Sequence, residues 1–328
     1  MLSRVADAIY WVGRYLERAE NVARFVDVNL NLMLDLAHTA TEQWKPLVQT
    51  SGDAEAFAKR YGEATQENVI HFLTFDAGNP NSILSCVTAA RDNARSVREI
   101  ISSEMWEHTN TWFHMVRDAA GGNEALGALN EFYVRVKMAS HLFNGIADST
   151  MSHGEAAHFL RLGRMLERAD KTTSILDVKY FILLPEVAEV GSAFDSIQWS
   201  ALLKSASANE MYRKRYGQLT PAKIVRFLLL DREFPRAVRY CVLEAESCLR
   251  AISGSPAGSY RNAAEQRLGR IAAELNYAQI EEVIAAGLHE YLDNLELVLN
   301  SASAAVFDTF FSLRPIQVSD STHANGNA

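Results

Sequence analysis

Basic charge, cysteine, proline and long apolar runs are all scarce in this chain of 328 residues, and each scarcity removes a class of protein. The 32 Lys and Arg are outnumbered by 40 Asp and Glu, leaving a formal charge of −8 with no basic stripe to follow a phosphate backbone. Nucleic acid is therefore not an expected partner. No apolar run is long enough to cross a bilayer, and charges within the first twenty residues interrupt the apolar core that a signal peptide needs. The expectation is a cytoplasmic protein with no membrane partner. Three cysteines, Cys86, Cys241 and Cys248, are too few and too badly spaced for a zinc cluster, and read as buried small hydrophobes in a reducing compartment. Gly121-Gly122 lacks the Gly and Lys positions of a phosphate loop, and no serine sits in a Gly-x-Ser-x-Gly elbow. Glu155-x-x-His158 has the spacing of half a di-iron carboxylate motif, but its nearest complement is Asp35-x-x-His38, so neither a metal nor a cofactor is expected.

What is present is helix. Hydrophobic residues make up 48% of the chain, enough for a substantial core, and the segments between the seven prolines are rich in Ala, Leu, Glu and Arg. A first helix is expected from a cap at Ser3 to about Leu36, because Val12, Leu16, Ala19, Ala23, Val26, Leu30 and Met33 form one apolar seam at helical spacing. Further helices are expected over 53–61, closed by Gly62, and from a Thr65 cap through Phe75, followed by a turn at Asp76 to Asn81. From Ser82 two helices follow with a break near Ser102–Ser103. A last helix over about 124–148 precedes Ser152-His153-Gly154.

The second half replays this order. Gly13-Arg14-Tyr15-Leu16-Glu17-Arg18-Ala19-Glu20 returns 150 residues later as Gly163-Arg164-Met165-Leu166-Glu167-Arg168-Ala169-Asp170. The apolar seam returns with it as Leu162, Leu166, Ala169, Thr173, Leu176, Tyr180 and Leu183, in a helix that Pro185 stops. After a linker containing Trp199 the shift becomes 155: Lys59-Arg60-Tyr61-Gly62 matches Lys214-Arg215-Tyr216-Gly217, and Thr65, Asp76, Pro80, Cys86 and Arg95 match Thr220, Asp231, Pro235, Cys241 and Arg250. Ser253 to Ser259 is a loop with no counterpart, and helices resume over about 260–286 and 288–312. The expected architecture is all-α: a duplicated multi-helix unit, 1–150 and 151–314, packed as one large bundle with a pseudo-two-fold repeat, then a disordered tail over 315–328.

On a helical wheel Arg14, Glu17, Arg18 and Asn21 share one side of the first helix. Tyr10, Phe25 and Val28 lie on or beside that face, and a helix that is apolar nearly all round is usually buried. Three readings stay open: a buried ion network tying helices together, an ordinary exposed face, or a ligand site. In a ligand site the arginines would fork onto a carboxylate or phosphate. Arg164, Glu167 and Arg168 carry the same choice into the second half. Arg91, Asn93, Arg95 and Arg98 would add contacts if their helix packs beside the first.

Leu2 to Asn21, together with Ala90 to Arg98 and Ser103-Glu104-Met105-Trp106-Glu107, resembles the bacterial alpha-E family over essentially the whole chain to about Arg314. The resemblance implies a helical architecture and places the Glu-Arg signature on Glu17-Arg18 and Glu167-Arg168. It also implies company: a circularly permuted ATP-grasp protein and a transglutaminase-like protein, partners suited to making and cutting amide bonds. The family has no settled activity. One expectation is thus a non-catalytic accessory or substrate-binding protein that docks the ligase or carries a peptide through its carboxylate. The other is an enzyme acting on the amide product with Glu17 or Glu167 as acid-base, which the absence of a nucleophile-base pair disfavours.

Overall fold

In the computed structural model, residues 1–35, 44–122, 126–182 and 193–312 are described. Helix α1 (Ser3–Asp35) is the axis of the fold, and its seam is buried from Val12 through Leu30. Helix α8 (Glu155–Ile182) runs parallel to it, with Leu162, Leu166, Ala169, Thr173 and Leu176 equally buried. These two long helices lie against each other in the centre of the molecule.

Between them come α2 (Lys45–Ser51), α3 (Ala54–Tyr61), α4 (Gln66–Thr74), α5 (Ile83–Ser96), α6 (Ser103–Ala120) and α7 (Leu126–Thr150). After α8 follow α9 (Ala193–Ser205), α10 (Asn209–Tyr216), α11 (Pro221–Leu230), α12 (Val238–Ser253), α13 (Ala263–Tyr277), α14 (Ile280–Ala286) and α15 (Leu288–Val306), ending in a π-helical turn at Phe307–Phe311. No strand occurs among the described residues, so the all-α expectation holds. Helices α5 and α7 pack on α1, and α12 and α15 pack on α8.

Local chemistry explains most boundaries. Thr65, Ser82 and Ser102 each accept a backbone N–H three residues on, which caps α4, α5 and α6. Gly62 and Gly217 close α3 and α10 at φ 71° and 72°, a backbone state that penalises any side chain. The turns after α4 and α11 are each folded around one aspartate. Asp76 accepts from the Gly78 amide at 2.8 Å and the Tyr61 hydroxyl at 2.9 Å. Asp231 accepts from the Glu233 and Phe234 amides at 2.9 and 2.8 Å. Arg60 and Arg215 bind these same carboxylates.

Several expectations need correction. Ser3 is not the cap of α1: it is the first helical residue, and the Leu2 carbonyl accepts from Val5 and Ala6. Thr220 does not repeat the Thr65 cap. Pro221 starts α11 with its preset φ, and the Thr220 amide donates to the Tyr212 hydroxyl at 3.2 Å. Trp199 lies within α9 instead of a linker, because Trp199, Leu202 and Leu203 all bury. The segment expected as one helix over 260–286 is two, separated by extended backbone at Ala278 and Gln279. Leu36, His38, the 124–125 start of the closing helix, Leu183, Pro185 and the tail from 315 lie outside the described residues.

Candidate functional site

Two glycines set the spacing between α1 and α8. A Cβ on Gly13 would collide with the Leu160 carbonyl, and a Cβ on Gly163 would collide with the Tyr10 carbonyl, so the helices touch backbone to backbone there. About one turn further along each helix stand the glutamate and arginine of the repeated motif. At so short a separation each side chain reaches the other helix.

The pairing is reciprocal. Arg18 places Nε 2.7 Å from Glu167 Oε1 and Nη2 2.9 Å from Oε2. Arg168 places Nε 2.8 Å from Glu17 Oε1 and Nη2 2.7 Å from Oε2. Each glutamate is thus gripped in a two-point fork by the arginine of the other motif, the strongest neutralising geometry that side chains offer. Glu17 is 2% exposed and Glu167 is fully buried. Neither is an ordinary surface charge, so the exposed-face reading fails.

A wider shell completes the cluster. Arg14 donates through Nε to Glu167 Oε2 at 2.6 Å and through Nη1 to Tyr10 and Ser303. Arg18 Nη1 reaches Asn81 Oδ1 at 2.5 Å, and Asn21 lies 3.4 Å from Glu17 Oε1. Arg236 bridges Asn21 at 2.8 Å, Glu17 at 3.2 Å and Glu20. Glu20 is also held by Arg24 Nε at 2.9 Å and by the Ser140 hydroxyl at 2.5 Å. Burial alone would raise the pKa of these carboxylates. For Glu167 the Arg18 and Arg14 guanidiniums overcome that penalty, for Glu20 Arg236 and Arg24 do, and for Glu17 Arg168 and Arg236 do, so all three stay ionised below the ordinary carboxylate range. The same attraction raises Arg18 and Arg168 against the opposing effect of burial.

Arg164 stands at the position matching Arg14 but has a different environment. Its Nη1 bonds to Asn144 Oδ1, its Nε is buried without a partner, and no carboxylate of the described residues pairs with it. Burial depresses its pKa, and nearby Arg168 depresses it further.

Arg91, Asn93, Arg95 and Arg98 are not brought to the cluster. Helix α5 does pack on α1 and buries Ile83, Val87, Ala90 and Ala94, but Arg91 on α5 and Arg98 in the turn after it face α6. Arg91 Nε bonds to Asn110 Oδ1 at 2.7 Å and lies over the Phe113 ring, while Arg98 stacks on Trp106 at 5.0 Å. Arg95 is exposed. Glu20, Arg24, Ser140 and Arg236 were missed as site residues. The signal for Arg236 was available: it follows Pro235 as Asn81 follows Pro80, and Asn81 also points into the cluster.

Other groups offer little reactivity. The three thiols are buried, and desolvation pushes Cys86 and Cys241 up to about 12 and Cys248 to about 11, far from the thiolate that a nucleophile requires. Glu155 Oε2 is bonded to the Met1 amino group at 2.9 Å, and among the described residues no His, Cys, Asp and Glu group could hold a metal ion. Asp35-x-x-His38 lies outside the residues whose side chains are described. No described helix is long and apolar enough to cross a membrane.

The model of the Alpha-E family, described as a predicted alpha-helical domain with a conserved ER motif, matches residues 1–311. The chain contains two Glu-Arg dipeptides, Glu17-Arg18 and Glu167-Arg168. An uncharacterised protein of Mycobacterium bovis and uncharacterised proteins of two strains of Mycobacterium tuberculosis are each 22% identical over 334 residues, covering 92% of this chain. The chain spans 37% of the length of these relatives. No solved structure matches it.

Proposed function

The chain belongs to the Alpha-E family, and on that premise we propose that it is a non-catalytic helical accessory of an ATP-grasp-linked amide-bond system in the cytoplasm, docking the ligase or carrying its peptide substrate. The observation that supports this is the reciprocal fork between Glu17-Arg18 and Glu167-Arg168. A general acid or base works best with a pKa near the operating pH and with access to substrate. Glu17 and Glu167 have neither, since each is buried and held ionised by two arginines. Their chemistry is that of a lock between helices. The amide-bond setting comes from the family resemblance, and the circularly permuted ATP-grasp protein and the transglutaminase-like protein are its proposed partners.

The architecture fits the same proposal as a duplication. Segments 1–150 and 151–314 are read as two copies of one unit related by a pseudo-two-fold axis between α1 and α8, each lending its Glu-Arg pair to the other. Such an arrangement makes neither half complete alone, because each buried glutamate would lose its counter-charge. A pull-down with the purified ATP-grasp partner, followed by ATP turnover with and without this protein, tests the accessory role. A complex and altered turnover are expected. No complex together with unchanged turnover would overturn it.

A further inference from the structure

Between the C-terminal turns of α7 and the first turns of α8 lies a pocket of about 120 Å³, lined among others by Asn144, Ala147, Met151, His158, Arg161 and Arg164. Its charges are unevenly paired. Arg161 is paired with Glu244 on α12, and Asp148, the one carboxylate in the lining, is 81% exposed beside the His153 imidazole. Arg164 is left with an amide oxygen as its partner and with a buried, unbonded Nε. The neighbouring carboxylate, Glu17, is already gripped by Arg168 and Arg236. A largely buried guanidinium without a counter-charge is an expensive feature, and its twin Arg14 shows what is missing, namely the Glu167 carboxylate at 2.6 Å.

We propose that this pocket binds a small oxyanion, the carboxylate or phosphate group of a ligand, as the counter-charge of Arg164. Arginine suits either group, since both present paired oxygens to a planar fork. Ala147 and Met151 give the pocket an apolar wall, which lowers the local dielectric on one side of the pair and strengthens it. The pocket deepens the ligand-carrying part of the proposed function and rests on it only for the origin of the ligand. It is tested on the isolated protein, so its failure is separable from a failure to bind the ligase.

The experiment is thermal unfolding of the full chain in inorganic phosphate and, separately, in acetate, each against sodium chloride of equal ionic strength. Binding to the native state raises Tm, by about 2 °C at tenfold the dissociation constant for a protein of this size. A rise with phosphate alone assigns a phosphate ligand, and a rise with acetate alone a carboxylate ligand. In either case Arg164→Gln is expected to abolish it. Asn144→Asp supplies the missing charge from within the chain, so it is expected to raise Tm in chloride and to lose the anion response. No anion-specific rise in the native protein, or a rise that persists in Arg164→Gln or Asn144→Asp, would overturn the proposal.

Discussion

Arg14 and Arg164 stand 150 residues apart in the same local sequence, Gly-Arg-x-Leu-Glu-Arg-Ala, yet one is neutralised and the other is not. Both sit on the long central helices α1 and α8. The difference lies in what faces them. Arg14 shares Glu167 with Arg18, the two arginines that pair with that carboxylate among the described residues. The equivalent carboxylate for Arg164 would be Glu17, but the second cation on that carboxylate is Arg236, which meets Oε1 and bridges to Glu20, whereas Arg14 meets the opposite oxygen, Oε2, of Glu167. Glu17 shares its charge between Arg168 and Arg236, as Glu167 does between Arg18 and Arg14, and Arg164 is left outside both pairs. The repeated motif thus carries the same Glu-Arg fork in both helices, while the surroundings of Arg14 and Arg164 differ.

The comparison can be broken most severely by acid. Glu17, Glu20 and Glu167 have folded-state pKa values below their ordinary range, so at low pH the unfolded chain binds more protons than the folded one. The stability they contribute is complete above about pH 5 and is lost as pH falls from there toward their folded values. Denaturant unfolding from pH 7 down to pH 3 should show this as the largest loss of all. Glu167→Gln comes next: it strands Arg14 and Arg18 together and should cost about 3–5 kcal/mol by chemical denaturation. Arg14→Gln should cost about 1.5–3 kcal/mol, because Glu167 keeps Arg18. Arg164→Gln should stay within about 1 kcal/mol in anion-free buffer or even stabilise, since it removes a buried cation that has no carboxylate partner. Equal losses for the Arg14 and Arg164 variants would erase the asymmetry. Smallest is Arg98→Ala in the exposed turn after α5, expected within about 0.5 kcal/mol.

How much of this was legible in the sequence depended on whether the cause was local. The caps at Thr65, Ser82 and Ser102 and the closures at Gly62 and Gly217 are read from one or two residues, and they stand where the side-chain chemistry puts them. The continuous seam of α1 together with Tyr10 and Phe25 on its polar face announced a helix buried over most of its circumference, while the stripe through Arg4, Asp7, Trp11, Tyr15 and Arg18 is exposed or half-buried. The break at Ala278 was hidden, since neither Gly nor Pro marks it. The site was half legible for a related reason. Motif repetition singled out Glu17-Arg18 and Glu167-Arg168, but which charge meets which depends on the crossing at Gly13 and Gly163, a fact of tertiary packing. Arg91, Arg95 and Arg98 look equally suitable in sequence and differ in where the fold places them: Arg91 on α5 against α6, Arg95 exposed, and Arg98 in the turn after α5 over Trp106.

The central claim is that the Glu-Arg motif acts across the two helices and not within either one. Double-mutant cycles by denaturant unfolding test it most directly, comparing the cross-helix pairs Glu17–Arg168 and Glu167–Arg18 with the sequence neighbours Glu17–Arg18 and Glu167–Arg168. Coupling of about 2–3 kcal/mol is predicted for each cross-helix pair and below about 0.5 kcal/mol for each neighbouring pair. Coupling confined to the sequence neighbours, or absent across the helices, would contradict the account.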